Sequence, residues 1–292
     1  MSVRRFVRGT VPWDQLEAVF VDLEERYDED GLRVEFLAAD NWFSTPCVVT
    51  SIDADSSTDA ESDADSSDTT GRETGDQQWF VKVVSAQNAF VHSLFTGIRN
   101  LGVFSSGTEG FFEPFEGPGE MARHELEAAE QMREVGLNVP KPVESFDVDG
   151  LGVLVMEYLP EFETLDELDE ACIEAYAPEL FAALATMHEN DLAHGDLRAE
   201  NVLIYEEEIY LIDATKVSDE GIAAARAYDL ACALAVLEPL VGASTAVEAA
   251  HEHYSADRLL AAREFLDFVG IRPDHDFDAA ALKTELEAAA EE

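Results

Sequence analysis

The segment His194-Gly-Asp-Leu-Arg-Ala-Glu-Asn-Val-Leu-Ile204 holds Asp196 and Asn201 five residues apart and runs into an apolar stretch. A second aspartate, Asp213, closes the next apolar stretch, Tyr210-Leu-Ile-Asp213-Ala. Phosphoryl transfer from ATP needs a carboxylate that orients the acceptor hydroxyl, and an Asn and an Asp that hold Mg²⁺ against the phosphates. Mg²⁺ prefers hard oxygen ligands, which Asn201 and Asp213 supply. A cation stands mid-strand in Phe-Val-Lys-Val-Val, at Lys82. A lysine inside an apolar strand carries a desolvation cost unless anions meet it. The chain has only four lysines (Lys82, Lys141, Lys216 and Lys283), so this placement is informative.

These residues resemble the catalytic loop and metal-binding aspartate of the protein-kinase superfamily, over a span from about Arg33 to Phe268. His-Gly-Asp in place of His-Arg-Asp is similar to the atypical branch: RIO-type kinases above all, then the archaeal tRNA-modification-associated kinases and the aminoglycoside-type phosphotransferases. The resemblance implies ATP and Mg²⁺ as cofactors. It gives Asp196 the acceptor hydroxyl, Asn201 and Asp213 the metal, and Lys82 the α/β-phosphates with a carboxylate partner. That partner is Glu125, in Arg123-His-Glu125-Leu, with Glu127 on the same helix as the alternative. Val155-Met-Glu-Tyr-Leu-Pro160 resembles the hinge where adenine meets backbone, which implicates Met156, Glu157 and Leu159. Arg198 stands where conventional kinases place a lysine against the transferring phosphate. As a forked cation it suits that task, and it equally suits a surface pair with Glu200. Asp229, in Tyr228-Asp-Leu-Ala, resembles the helix aspartate that braces the catalytic loop; an acid at a helix N-terminus reads the same way. His194 reads as a structural member of the loop, not a base.

The departures from the resemblance are specific. No GxGxxG lies between the first two strands. Asn41-Trp-Phe-Ser-Thr-Pro46 occupies that turn, so the hydroxyls of Ser44 and Thr45 stand in for backbone cradling of phosphate. The glycine expected after the metal aspartate is absent, the sequence reading Asp213-Ala-Thr. Fifteen residues lie between Asp213 and Asp229, with no Ala-Pro-Glu, so a conventional activation loop and its peptide platform do not fit. About thirty residues precede the first strand, room for no more than a stub of the winged helix that RIO proteins often carry.

The elements that must position these groups follow from periodicity. Leu16, Val19, Phe20 and Leu23 recur at helical spacing over 12–27. Arg33–Ala39, Thr45–Ser51 and Gln78–Val84 read as strands, as do Val143–Asp147 and Val153–Glu157. Residues 87–101 place Phe90, Val91, Leu94, Phe95, Ile98 and Leu101 on one helical stripe: a helical insert, either packed on its own lobe or an interface. A helix from about Glu120 to Val135 ends at Gly136. Pro178 is expected to start a helix reaching Glu189. Short strands at Val202–Tyr205 and Ile209–Ile212 follow, then helices over Gly221–Val241, Ala246–Phe268 and Ala279–Glu291. Residues 53–76 hold nine acids and no apolar residue larger than Ala, and are expected to form a mobile loop. A calcium loop starting at Asp53 is excluded, because Thr58 and Ala64 replace the required Gly and Glu.

Composition sets the boundaries. With 63 acidic and 18 basic residues the formal net charge is −45. That excludes a duplex nucleic-acid clamp built on positive charge and argues against attraction to anionic lipid. Self-repulsion of this size is relieved at near-molar salt, where screening acts over roughly 3 Å. The composition reads as adaptation to the salt-rich cytosol of a halophile. Three cysteines without a CxxC pair suggest neither a disulfide framework nor a thiolate metal site. His251 and His253 lie too close along a helix to share a face, so no zinc is expected. With no h-region and no long apolar run, the expectation is a cytoplasmic protein.

The readings converge on an α+β, two-lobed protein-kinase-like fold, with an antiparallel β-sheet N-lobe and a helical C-lobe. Residues 1–32 form an N-terminal extension, 33–157 the N-lobe with its acidic loop and helical insert, and 158–292 the C-lobe. The implied function is ATP-dependent transfer to serine or threonine of a protein, or ATP hydrolysis. The alternatives are an aminoglycoside-type small-molecule phosphotransferase and a nucleotide-binding scaffold.

Overall fold

Apolar alternation and helical stripes assemble into two compact units. The computed structural model describes residues 11–37, 44–52, 77–105, 110–272 and 275–291, with side chains for all of these except 101–105. The acidic segment 53–76 and residues 41–43 of the first turn lie outside the described residues. One unit takes residues 1–91, 117–123 and 143–158; the other takes 92–116, 124–142 and 159–292.

The first unit is an antiparallel sheet under one helix. Helix α1 (Trp13–Tyr27) buries Leu16, Val19 and Leu23, the i, i+3, i+7 stripe of its sequence. Five strands follow: β1 (Leu32–Phe36), β2 (Thr45–Ser51), β3 (Gln78–Val84), β4 (Pro142–Val148) and β5 (Leu151–Glu157), in the order β1-β2-β3-β5-β4. The period-two pleat sorts their residues. Cys47, Val49, Trp79, Val81, Val83, Leu151, Val153 and Val155 face α1 and form one core with it. Each such side chain contributes roughly 1.5–3 kcal/mol on burial. The opposite face carries Val48, Phe80, Lys82, Leu154 and Met156, with Lys82 paired to Leu154 and Phe80 to Met156.

The second unit is helical apart from a small sheet. Helix α2 (Ala86–Ser105) joins it from His92 onward, and α3 (Pro118–Glu134) from His124 onward. Helix α3 ends as expected at Gly136, whose φ of 91° closes a 6→1 turn from Leu137 N–H to the Met132 carbonyl. Strands β6 (Glu163–Thr164), β7 (Val202–Tyr205) and β8 (Glu208–Leu211) make a three-stranded sheet. Around it lie α4 (Glu170–Glu189), α5 (Ile222–Val241), α6 (Ala243–His251), α7 (Ala256–Arg263), α8 (Leu266–Val269) and α9 (Ala279–Ala289).

Two helix expectations are corrected. Helix α4 begins eight residues before Pro178, capped by the Asp169 carboxylate, which accepts from Cys172 N–H at 2.9 Å. Its stripe of Ile173, Ala177, Leu180, Phe181 and Leu184 is buried on both sides of the proline. Pro178 has no N–H to give the carbonyl four residues earlier, which belongs to the exposed Glu174. The long helix expected over Ala246–Phe268 is three pieces, α6 to α8. It breaks because Tyr254 turns into the core and Ser255 takes extended dihedrals at the start of α7. Among the described residues no helix is long and apolar enough to cross a membrane.

Candidate active site

The site grows from the hairpin β7–β8. A 3₁₀ turn, Ala199–Asn201, feeds β7, and Val202 pairs with Leu211. One step beyond that register, Ile212 N–H donates to the Asn201 carbonyl at 3.1 Å, so Asp213 emerges beside Asn201. Asn201 is buried, and its amide nitrogen donates to the Asp196 carbonyl at 2.8 Å. With that nitrogen committed, the amide oxygen is the group left to offer a cation. Asp213 adopts φ 63°, a left-handed conformation that is uncommon outside glycine and costs about 1–2 kcal/mol. Such strain concentrates at functional positions. The hairpin backbone thus brings two residues with hard-oxygen side chains, Asn201 and Asp213, to one end of the β7–β8 pair. That suits Mg²⁺ bound together with phosphates; no cluster of three or more His, Cys, Asp or Glu groups able to hold a metal occurs among the described residues.

The loop before Asn201 is held by a fully buried carboxylate. Asp229 of α5 accepts from the backbone N–H of His194 and of Gly195, both at 2.7 Å. His188 Nε2 contacts the same carboxylate at 3.3 Å, and Tyr254 OH lies 2.8 Å from His188 Nδ1. The imidazole between an acceptor carboxylate and a hydroxyl carries its proton on Nε2 and accepts at Nδ1. Asp229 therefore braces the loop, one of the two readings that its sequence left open. His194 is buried and lies 2.8 Å through Nε2 from the Ile212 carbonyl, while its Nδ1 accepts from Asp196 N–H at 3.3 Å. Burial pushes its pKa down despite the nearby Asp229 and Asp196. It is a neutral spacer, as its sequence context indicated. Gly195 has φ 73°, and a Cβ there would stand 2.5 Å from Thr215 Cγ2. This position of the loop excludes side chains on both counts.

Three guanidinium groups converge on Asp196. Arg99 of α2 and Arg272, after α8, both donate to Oδ1, the latter at 2.9 Å. Arg198 Nε lies 3.6 Å from Oδ2, while its NH1 pairs with Glu200 at 3.0 Å, the pair that one of its two sequence readings expected. Burial alone would push the Asp196 carboxyl up. Arg99, Arg272 and Arg198 outweigh it and hold the group well below the usual carboxylate range. The arginines favour the ionised form of Asp196 and make it a weaker base than an ordinary carboxylate. Arg272 is itself fixed by Tyr228, whose phenol accepts from its NH1 and which burial keeps neutral.

Sequence reasoning missed Arg99 and Arg272, which lie 97 and 76 residues from Asp196. No local pattern links them; the one available signal was a cation interrupting the apolar stripe of residues 87–101. The chain brings Arg99 in by pairing two connecting segments. Phe112 bridges Val217, Glu113 N–H donates to the Lys216 carbonyl at 3.1 Å, and Ser218 N–H to the Phe111 carbonyl at 2.9 Å. Asn100 locks the arrangement, its side chain bonding both the carbonyl and the N–H of Phe112. Arg99 then lies over the Phe112 ring at 4.8 Å. His92, one turn closer to the N-terminus of α2 than Thr96, contacts Thr96 and Thr215 at 3.3 and 3.4 Å. Burial, with help from Arg99, lowers its pKa to about 4.

The remaining expected site residues are placed as follows. Lys82 is buried on the sheet face away from α1, in the first unit, with Met156 on that same face. Glu157 pairs with Trp79 at the end of β5 and is exposed. Ser44 is buried just ahead of β2, its hydroxyl without a hydrogen-bond partner among the described residues. Thr45 opens β2 opposite Val83. In the second unit, Leu159 is buried, Glu125 of α3 is half-buried and Glu127 is exposed.

Residues 118–226 match the family model of the RIO domain. That stretch contains Asp196, Arg198, Asn201, Asp213 and the α3 carboxylates, and over it the chain is similar to the atypical, RIO-type protein-kinase-like proteins. No curated protein matches the chain in sequence. Among solved structures, the chain is similar to the Drosophila melanogaster PAN3 pseudokinase, at 14% identity and a TM-score of 0.42. The similarity covers 88% of this chain and 66% of that one, just under two thirds of its length.

Proposed function

We propose that the protein transfers the γ-phosphoryl group of ATP to a hydroxyl acceptor. The observation that carries this reading is the junction of Asp196, Asn201 and Asp213 at one end of the β7–β8 hairpin, inside the RIO-matched region. Mg²⁺, held by Asn201 and Asp213, would supply charge neutralisation at the phosphates. Lys82 serves the α/β-phosphates, assisted by the hydroxyls of Ser44 and Thr45, with Glu125 the carboxylate that the resemblance assigns to that lysine. Backbone at Met156, Glu157 and Leu159 receives the adenine. Asp196 orients the acceptor hydroxyl, whose oxygen bonds the γ-phosphorus as the bond from that phosphorus to the β–γ bridging oxygen breaks. The hydroxyl proton is released to solvent as the new bond forms, with the Asp196 carboxylate holding the hydroxyl in line. Phosphoryl transfer makes little demand on covalent chemistry, so a weakly basic carboxylate that positions the hydroxyl is sufficient. Arg198 adds charge beside the transferring group.

The resemblance implies serine or threonine of a protein as acceptor. A second reading, a small-molecule acceptor, is favoured by one observation. The segment after Asp213 is already paired, through residues 216–218, with residues 111–113, so that edge is not open to an extended peptide. The test is ATP turnover in concentrated KCl, the medium suggested by the net charge, with Asp196→Asn as the variant. Loss of at least ~100-fold is expected. Asp213→Asn is expected to abolish the Mg²⁺-dependent thermal shift produced by ATP. Undiminished turnover in Asp196→Asn, or an ATP shift indifferent to Asp213→Asn, overturns the assignment.

A further inference from the structure

Three arginines around one catalytic carboxylate are more than that carboxylate's own needs explain. The chain has only 14 arginines against 63 acids, and three of them meet at Asp196. A single Arg–carboxylate pair is strongest when two parallel N–H groups meet two oxygens. Instead, Arg99 and Arg272 share one oxygen, Oδ1, each through one nitrogen. Arg272 spends its other terminal nitrogen on Tyr228. Arg99 rests its planar face on Phe112, and among the described residues Asp196 is its one polar partner. Neither Arg99 nor Asp196 is sealed: their side chains are 15% and 14% exposed, and that of Arg198 is 27% exposed. Both Arg99 and the carboxylate it holds belong to the second unit, so this cluster is complete within one compact body.

We propose that Arg99 is the specificity-determining residue for the acceptor, and that the acceptor is a small hydroxyl compound carrying an oxyanion, a phosphate or carboxylate group, beside the hydroxyl. This deepens the phosphoryl-transfer reading and rests on it. The oxyanion engages the N–H edge of Arg99 that Asp196 does not use. A guanidinium fork with five donors can serve both anions or pass from one to the other. As Arg99 turns toward the acceptor, Asp196 is relieved of one of its two Oδ1 donors, and that lone pair becomes available to the hydroxyl. The same contact therefore selects the acceptor and releases the group that orients it. A neutral polyol gains nothing from Arg99 and leaves Asp196 occupied.

The test is calorimetric titration of the full chain with inorganic phosphate, and in a second arm with acetate, in the lowest KCl concentration that keeps it folded. Saturable binding is expected, weakened at least tenfold by Arg99→Gln and unchanged by Arg263→Gln, which removes an arginine paired with Glu264 and Glu287 away from the site. Tighter binding of phosphate than acetate identifies a phosphate-bearing acceptor, and the reverse a carboxylate-bearing one. Arg99→Lys keeps the charge without the fork and is expected to weaken binding several-fold, which carries the test should Arg99→Gln fail to fold. Absence of saturable binding, or binding that Arg99→Gln weakens no more than Arg263→Gln does, overturns the proposal. Its fate is separable from that of the phosphoryl-transfer reading. Oxyanion binding through Arg99 without any ATP·Mg²⁺ shift leaves the subsite and removes the kinase. ATP turnover with oxyanion binding indifferent to Arg99 does the opposite.

Discussion

Replacing Asp229 by alanine tests the brace on which the site depends. The carboxylate is fully buried and accepts two backbone N–H groups at 2.7 Å, with His188 Nε2 at 3.3 Å. Alanine leaves those donors facing a void that contains no acceptor. Each buried donor left unsatisfied costs about 1–3 kcal/mol. The desolvation cost of the lost carboxylate is recovered in part, so the expected destabilisation is about 3–5 kcal/mol. That is a large share of the ~5–15 kcal/mol available to a domain. Asp229→Asn keeps one acceptor oxygen and turns an NH₂ toward the other backbone donor; it should fall midway, near ~2 kcal/mol. Denaturant unfolding in concentrated KCl measures both, and amide exchange locates the effect. The His194 and Gly195 amides should lose protection first, because they lose their acceptor. An alanine variant within about 1 kcal/mol of the parent, with both amides still protected, would refute the reasoning.

Gly195→Ala is expected to cost about 1–2 kcal/mol for its φ of 73° alone, plus the clash with the Thr215 methyl. Adding Thr215→Ser, which removes that methyl, should recover the clash and leave the backbone cost; full recovery in denaturation midpoints would show that the left-handed conformation is not retained. His92 has a folded-state pKa near 4 against about 6.5 unfolded, so between those values the unfolded chain binds the extra proton and stability falls as pH is lowered. Stability curves of the parent and of His92→Gln should diverge by up to about 3 kcal/mol between pH 6.5 and 4, with the parent losing more. Parallel curves would place His92 in water instead of against Thr96, Thr215 and Arg99.

Where the sequence was most legible, the informative contacts are local. Strands β2, β3 and β7 run over the residues expected from their short apolar, β-branched runs, because a strand buried on both faces writes itself as a nearly continuous apolar stretch. Asp196, Asn201 and Asp213 were recognisable as a set for the same reason: one short hairpin with a fixed register joins them. Pro178 was misread because a local rule, that proline starts helices, was outweighed by the buried stripe on both sides of it. Ser255 is not legible as a helix start because His251-Glu-His-Tyr254 ahead of it contains no helix breaker; the burial of Tyr254 decides the break.

What chain chemistry alone determined is which polar groups are candidates for one site and the elements that carry them: spacing of side chains is a property of covalent connectivity and of helix and strand periods. The state of those groups was decided in three dimensions. That Asp196 is ringed by Arg99, Arg198 and Arg272, that His194 is neutral, and that Asp229 binds two backbone amides all depend on segments tens of residues apart meeting in a medium of low polarity. Charge, proton affinity and hydrogen-bond satisfaction are set by what surrounds a group, and only folding supplies those surroundings.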